Sequence, residues 1–327
     1  CLLWSILVVF RPNRILAALL LLFLNACLSP AATRCALDSD CDAGLSCIEG
    51  TCMENVGGAD CSEDVDCPTG SFCSLPDGRC VPIGGWENKD TCKHFADYSY
   101  FVSQQFGDKF DKVTTINEPW CISWLSYYLG EHAPGKKDLK SAVLTMHNIL
   151  LAHGLSVQAL RSNRSHEIGI VLNNQYAESF DQKPENLHAT NLFDSIHNRW
   201  FSDAIFNGTY PKLALSILEK NLPNHYNNDL ENISLPLDWI GLNYYTRSIV
   251  KFNESEDGIN YKTQKGSLKK THMNWEYYPK GLSYFIRRIN KEYSKKIPIY
   301  ITENGMANND KLSLEGEVND EDRVEFF

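Results

Sequence analysis

The sequence predicts an α/β protein built on a parallel sheet, carried behind a small disulfide-rich module. Three observations predict it. From about residue 90 onward, β-branched runs alternate with helical periodicities, and strands alternating with helices build parallel sheets with right-handed crossovers. Two of those strands, Lys112 to Asn117 and Ile297 to Thr302, run straight into a glutamate, Glu118 and Glu303. Eight cysteines crowd into residues 35–80 in two echoing sets.

Taken in order, residues 1–30 read as a signal- or lipoprotein-like segment. Cys1 to Phe10 is apolar, Arg11-Pro12-Asn13-Arg14 interrupts, and Ile15 to Leu24 is a second apolar run. Each run is shorter than the roughly 20 residues of a membrane-spanning helix. A basic stretch, an apolar core and small residues make a secretory signal. Leu24-Asn25-Ala26-Cys27 looks like a bacterial lipoprotein cleavage box, which would make Cys27 a lipid anchor; a plain cut near Ala31 or Ala32 is the alternative. The expected location is secreted or cell-envelope. A first residue that is Cys1 rather than Met predicts a fragment or an open-ended reading frame.

Residues 31–82 form the cysteine-rich module. Cys35, Cys41 and Cys47 are echoed 26 residues on by Cys61, Cys67 and Cys73, and Cys52 by Cys80. Too few apolar residues surround them to build a core. A zinc site would show Cys-x-x-Cys or histidine partners, and the first histidine is His94. Disulfides, two per repeat, are the physical answer, and four cysteines allow three pairings that the sequence leaves open. Asp38, Asp40, Asp64 and Asp66 are turn residues rather than calcium ligands. Only Cys92 and Cys121 follow, and they are expected to be free thiols.

The predicted third segment is 84–327. A helix runs from Thr91 to Phe106, with Asp90 as N-cap, Gly107 as stop, and Phe95, Val102 and Phe106 as its apolar stripe. Val113 to Asn117 is a strand. Asp138 caps a long helix to about Arg161, with Ala142, Val143, Met146, Ile149 and Leu150 on one face. Ile168 to Leu172 is a strand and Ala189 to Ile205 a helix. Trp239 to Tyr244 is a strand, Asn253 to Lys270 a long polar loop, Pro279 to Tyr293 a helix and Ile297 to Thr302 the last strand. The tail from Glu315 to Glu325 reads as a solvated helix start.

A net charge of −10 and a pI of about 5.4 argue against a nucleic-acid surface, which needs a basic patch. The chemistry is carried by the two strand-end carboxylates. Strand ends of parallel α/β proteins are where active sites gather, and a pair of carboxylates is what glycoside cleavage needs. Thr115-Ile116-Asn117-Glu118-Pro119-Trp120 and Tyr300-Ile301-Thr302-Glu303-Asn304-Gly305 resemble the acid/base and nucleophile motifs of glycoside hydrolase family 1, the β-glucosidase family. Between them, in family order, lie Ala152-His153-Gly154, His197-Asn198-Arg199-Trp200-Phe201 and Asp238-Trp239-Ile240-Gly241-Leu242-Asn243-Tyr244-Tyr245-Thr246-Arg247.

That resemblance implies an incomplete (β/α)8 TIM barrel, strands four to seven. The family's glutamine on the first strand, its histidine on the third and its Glu-Trp pair after the eighth have no counterpart. It implies Glu303 as nucleophile and Glu118 as acid and then base, its pKa raised by repulsion from Glu303. Asn117 would meet the sugar 2-hydroxyl, Asn243 the substrate, and Tyr245 would donate to Glu303. Trp120 and Trp275 would line the leaving-group side, while His197 reads as structural. No metal or cofactor is implied. The expected partner is a small β-glycoside or oligosaccharide, and the oligomeric state is left open. The family's members are often cytoplasmic, against the signal-like start. Two other readings stand beside this one: a non-catalytic surface lipoprotein with a cysteine-rich binding module, and a 6-phospho-β-glycosidase.

The repeat makes a prediction of its own. Mass-spectrometric mapping of the non-reduced protein is expected to find four bridges among Cys35 to Cys80, each within its own repeat. Free thiols there, or a bridge to Cys92 or Cys121, would contradict it.

Overall fold

The structure, a computed structural model, describes residues 8–10, 45–48, 51–54, 71–74, 79–82, 84–163, 165–293 and 297–327. Contacts divide the chain into two units, Phe10–Asn88 and Lys89–Phe327, with Cys1–Val9 counted in the second. The smaller unit holds two antiparallel hairpins. β2 (Leu45–Ile48) pairs with β3 (Thr51–Glu54), setting Cys47 opposite Cys52. β4 (Ser71–Ser74) pairs with β5 (Arg79–Pro82), setting Cys73 opposite Cys80. Apart from β1 (Val8–Phe10), the signal-like segment lies outside the described residues, as do Cys27, Cys35, Cys41, Cys61, Cys67 and the four aspartates of the repeat.

The larger unit is an α/β half-barrel. Its sheet runs β1-β6-β7-β8-β10, where β6 is Phe110–Asn117, β7 Glu167–Ser179, β8 Trp239–Phe252 and β10 Ile299–Asn304. β6, β7, β8 and β10 are parallel neighbours, which is the expected strand set of an incomplete (β/α)8 barrel. β-branched and leucine side chains make the strand cores: Val113, Ile116, Ile168, Ile170, Val171, Ile240 and Leu242 are all buried. The strands β7 and β8 run well past their predicted ends. Inside the expected polar loop, β9 (Tyr261–Gln264) folds back antiparallel on the end of β8. Cross-strand hydrogen bonds make that strand, since Tyr261-Lys262-Thr263-Gln264 has no apolar run to announce it.

α1 (Asp90–Phe106) and α2 (Leu139–Asn163) pack on each other outside the sheet. Asp90 is the first helical residue rather than the cap, whereas Gly107 does end the helix as its C-cap, in a right-handed conformation. Phe106 is 50% exposed. The buried stripe of α1 instead continues through Ser99 and Ser103, whose hydroxyls reach Ser156 at 3.1 Å and His166 at 2.9 Å. Small side chains let α2 approach closely there. Asp138 does cap α2: its Oδ2 accepts from Ser141 N at 2.7 Å. α2 has the length and composition of a membrane-crossing helix, but most of it is buried in this core. α3 (Pro184–Asp194) starts earlier than predicted, at a proline suited to a first turn, and runs through a π-helical turn (Ser195–Arg199) into α4 (Trp200–Asn207). α5 (Lys212–Leu218) and α6 (Leu230–Ile233) follow; α7 (Lys280–Glu292) precedes β10, and α8 (Glu321–Phe326) falls inside the acidic tail.

The Ala152-His153-Gly154 string has a packing reason. His153 is buried with Nδ1 2.6 Å from Thr115 Oγ1, tying α2 to β6 just below Glu118. Burial pushes the imidazole down to about 3, so it is neutral. A Cβ on Gly154 would stand 2.1 Å from the Asn232 carbonyl oxygen. Gly154→Ala is therefore expected to destabilise this unit by about 1–3 kcal/mol through overpacking, read as a lower midpoint in urea denaturation. An unchanged midpoint would show that α6 yields freely.

Candidate active site

The strand registers bring the candidate residues to one layer. Glu303 on β10 pairs with Asn243 on β8, Asn243 with Asn173 on β7, and Asn117 on β6 with Val171. Glu118 sits one step beyond. Its amide donates to the Val171 carbonyl at 2.9 Å, and its φ is +53°, in the left-handed region. That conformation is costly for a non-glycine residue, and more so before Pro119, which favours extended backbone. The turn lifts the carboxyl off the line of the strand. The Glu118 carbonyl then accepts from the amides of Cys121 and Ile122 and so starts the π-helical segment Cys121–Tyr128.

One chain of hydrogen bonds joins the two carboxylates. Thr302 Oγ1 donates to Asn243 Oδ1 at 2.6 Å, which fixes the amide so that its nitrogen faces the site. Asn243 Nδ2 donates to Glu118 Oε1 at 2.9 Å and to Asn117 Oδ1 at 3.1 Å. Asn117 Nδ2 donates to Glu303 Oε1 at 3.4 Å. On the other side, the Tyr245 hydroxyl donates to Glu303 Oε2 at 2.5 Å. Asn243, expected to meet substrate, lines the cavity beside Glu118 and is 0% exposed, with its oxygen engaged by Thr302 and its N–H groups by Glu118 and Asn117.

Residues 74–327 match Glycosyl hydrolase family 1. The chain belongs to this family. It is 36% identical over 246 residues to a 1,4-beta-D-glucan glucohydrolase of Thermotoga neapolitana, covering 75% of this chain and 57% of the relative. Identity to Beta-glucosidase A of Thermotoga maritima is 35% over 246 residues, covering 75% and 55%. The solved beta-glucosidase of Thermotoga maritima in complex with deoxynojirimycin matches with TM-score 0.70 at 35% identity, over 75% of this chain and 57% of that one. The chain thus spans a little over half the length of the curated relatives it matches.

In this family 1 chain a cavity of about 750 Å³ opens beside Glu118. Trp120 and Trp275, the two expected tryptophans, both line it. Trp275 leans on the Tyr245 ring with centroids 5.4 Å apart, and Trp120 lies on His197 at 4.0 Å. Three residues with a part here were not among the predicted site residues. Thr302 orients the Asn243 amide. Cys121 is a free thiol beside Glu118, with Asn173 Nδ2 3.6 Å from its sulfur, and burial raises its pKa well above the usual thiol range. Arg247 pairs with buried Glu276 at 2.8 Å and with Glu178, strapping the loop before α7 onto β8. Thr302 and Arg247 stand inside the motif strings, but only the register shows which groups they face. Among the described residues no cluster of three or more His, Cys, Asp or Glu could hold a metal ion.

The Glu118 carboxyl is pushed above the usual carboxylate range, in the expected direction but for a different leading reason. Burial is the largest cause, and repulsion from Glu303 is a smaller one. Hydrogen bonds from Asn243 and Cys121 pull the other way, as does the His132 charge. Removing the Glu303 charge takes away one raising influence and leaves the larger. In Glu303→Gln the Glu118 pKa, followed by carboxyl ¹³C NMR titration, is expected to fall yet stay above the ordinary range. A full return to the ordinary value would mean that repulsion, not burial, dominates.

Proposed function

We propose that this chain carries the chemistry of a retaining β-glycosidase acting on small β-glucosides. The observation behind the proposal is the hydrogen-bonded relay from Glu118 through Asn243 and Asn117 to Glu303, at the C-terminal ends of parallel strands. The relatives' names, β-glucosidase and glucan glucohydrolase, support the substrate class.

In the first step a Glu303 carboxylate oxygen attacks the anomeric carbon and forms an ester, while Glu118 gives its proton to the departing glycosidic oxygen. In the second, Glu118, now a carboxylate, takes a proton from water as that water's oxygen attacks the anomeric carbon. The ester bond breaks, Glu303 is regenerated, and two inversions leave the configuration retained. The raised pKa of Glu118 suits the first role, because an acid must still hold its proton near neutral pH. Tyr245 and Asn117 give the Glu303 oxygens donors that aim the carboxylate. Asn117 is also placed to turn its amide to the sugar 2-hydroxyl once substrate enters. The signal-like residues 1–30 favour an exported protein, with Cys27 as a lipid anchor and residues 31–82 as a separate disulfide-held domain.

The groups that hold the sugar's other hydroxyls in family 1 have no counterpart among strands four to seven. Each such contact is worth about tenfold in rate, so three of them make about a thousandfold. The 327-residue chain is expected to hydrolyse an aryl β-glucoside at least about a thousandfold more slowly than a full-length relative. Glu303→Ala is expected to abolish what remains. Equal hydrolysis by Glu303→Ala would remove the basis for the proposal.

A further inference from the structure

The loop between β9 and α7 is held to the sheet by a pair of charges that the proposed reaction does not use. Arg247 Nε donates to Glu276 Oε2 at 2.8 Å, and Glu276 is 2% exposed. Its other oxygen, Oε1, accepts from the Leu268 amide at 2.8 Å, and its carbonyl accepts from Thr246 Oγ1 at 3.0 Å. Arg247 also pairs with Glu178, and its guanidinium lies 4.9 Å from the centre of the Tyr278 ring. Gly266 closes over the pair: a Cβ there would stand 2.8 Å from Glu276 Oε1 and 3.0 Å from Arg247 Nη2. A buried carboxylate is costly, and packed apolar side chains often hold a loop as well as a buried ion pair does. What a forked guanidinium adds is a fixed geometry.

That geometry bears on Tyr245. β8 carries one residue more than β7 between two of their pairings, where Asn174 faces Tyr244 and Tyr176 faces Arg247. Tyr245 and Thr246 lie in this bulge, so the ladder does not set the aim of their side chains. The Tyr245 hydroxyl nonetheless meets Glu303 Oε2 at 2.5 Å. Its ring is backed from outside the sheet by Trp275, with centroids 5.4 Å apart. Trp275 precedes Glu276 in the chain and is tied into its own loop by two hydrogen bonds with Thr271, at 2.8 and 3.2 Å. Past Tyr245 the bulge is pinned twice to the same residue, Thr246 on the Glu276 carbonyl and Arg247 on its carboxylate.

We infer that Arg247 and Glu276 are positioning residues: their buried pair holds the Trp275 loop on the β8 bulge, and through Trp275 it keeps the Tyr245 hydroxyl on the Glu303 carboxylate. Only the kinetic consequence rests on the proposed role of Glu303 as nucleophile; the placement of Tyr245 does not. A carboxylate that must attack one carbon is sensitive to small losses of aim, so a pair that does not touch Glu303 still sets the rate of the proposed reaction.

Tyrosine labelled with ¹³C at Cζ reports the hydrogen bond of its hydroxyl by NMR, and the Tyr245 signal is the one that Tyr245→Phe removes. On the full chain this signal is expected to move in Glu303→Ala, where the acceptor is gone. It is expected to move the same way in Glu276→Gln, which keeps the side chain's size and removes its charge. If the glutamine chain fails to fold, Gly266→Ala is expected to give the same movement, because its methyl displaces the carboxylate and the guanidinium and leaves both charges in place. A signal unmoved in Glu303→Ala, or in the folded loop variant, would overturn the inference. In hydrolysis of an aryl β-glucoside, Glu276→Gln is expected to lower kcat about tenfold, the worth of one charged hydrogen bond, with KM within about twofold. Once Tyr245→Phe is present, adding Glu276→Gln is expected to change kcat by no more than about twofold. Losses that multiply in the double variant would mean that Glu276 serves the fold alone, and would overturn the inference too. Glu303→Ala in the same assay tests the enzyme reading separately. A moved signal without Glu303-dependent hydrolysis would spare the placement and sink that reading. Glu303-dependent hydrolysis with an unmoved signal would do the reverse.

Discussion

The site depends on one side chain, the Asn243 amide. It lies at the middle of the sheet, wholly buried, and takes a hydrogen bond from β10 while giving two toward β6. Three strands are thereby referenced to a single planar group. Without it, Glu118 loses a donor and the Asn117 amide loses the contact that aims its nitrogen at Glu303. Gly241 makes the arrangement possible from two residues below. A Cβ there would stand 2.9 Å from Thr302 Oγ1, so glycine leaves room for the hydroxyl that orients the amide. Alternation along the strand puts Gly241 and Asn243 on one face. The Gly-x-Asn spacing in Trp239-Ile240-Gly241-Leu242-Asn243 is thus a geometric requirement.

Around that fixed point the less regular backbone does the shaping. Glu118 adopts a left-handed turn before a proline, and the π-helical Cys121–Tyr128 follows at once. A second π-helical turn, Ser195–Arg199, carries His197. Both π segments border the same cavity. A π turn widens a helix and rotates its later side chains relative to an α-helix, and such turns gather at functional sites. Here one sets Trp124 and Tyr128 into the wall and the other sets His197 behind Trp120. The strain at Glu118 is tolerated because the Val171 carbonyl and the π segment's amides hold the residue from both sides.

The strand-end glutamates, Asn117 and Tyr245 were legible in the sequence because they sit inside short strands whose neighbours announce them. Asp138 and the core face of α2 were legible for a similar reason: a cap and a helical period are local signals. What escaped notice was set by tertiary partners. Phe106 fits the helical period of α1 but faces out, while Ser99 and Ser103 face in, because α2 approaches too closely for a large side chain. β9 is polar and is made by pairing with β8 alone. The lead of burial over repulsion at Glu118 needs the walls, which residue types at known spacing do not supply. His197 reads as structural in the sequence, but its place between the Trp120 and Phe193 rings is set by tertiary packing alone.

In the proposed reaction two glutamates of one site must differ in proton affinity to serve as acid and as nucleophile, and identical side chains can be separated only by surroundings. The asymmetry begins in the sheet. β6 is buried from Val113 to Ile116, and Glu118 emerges beneath the aromatic wall of Trp120 and Trp124, so its charged form is the one that loses water. β10, paired with β8, carries Glu303 with two donors already aimed at it, from Asn117 and Tyr245. The proton is thus favoured on the Glu118 carboxyl, which loses water to the wall around it, while the oxygens of Glu303 are held by donors already in place. Two identical side chains are therefore told apart by what surrounds each strand end.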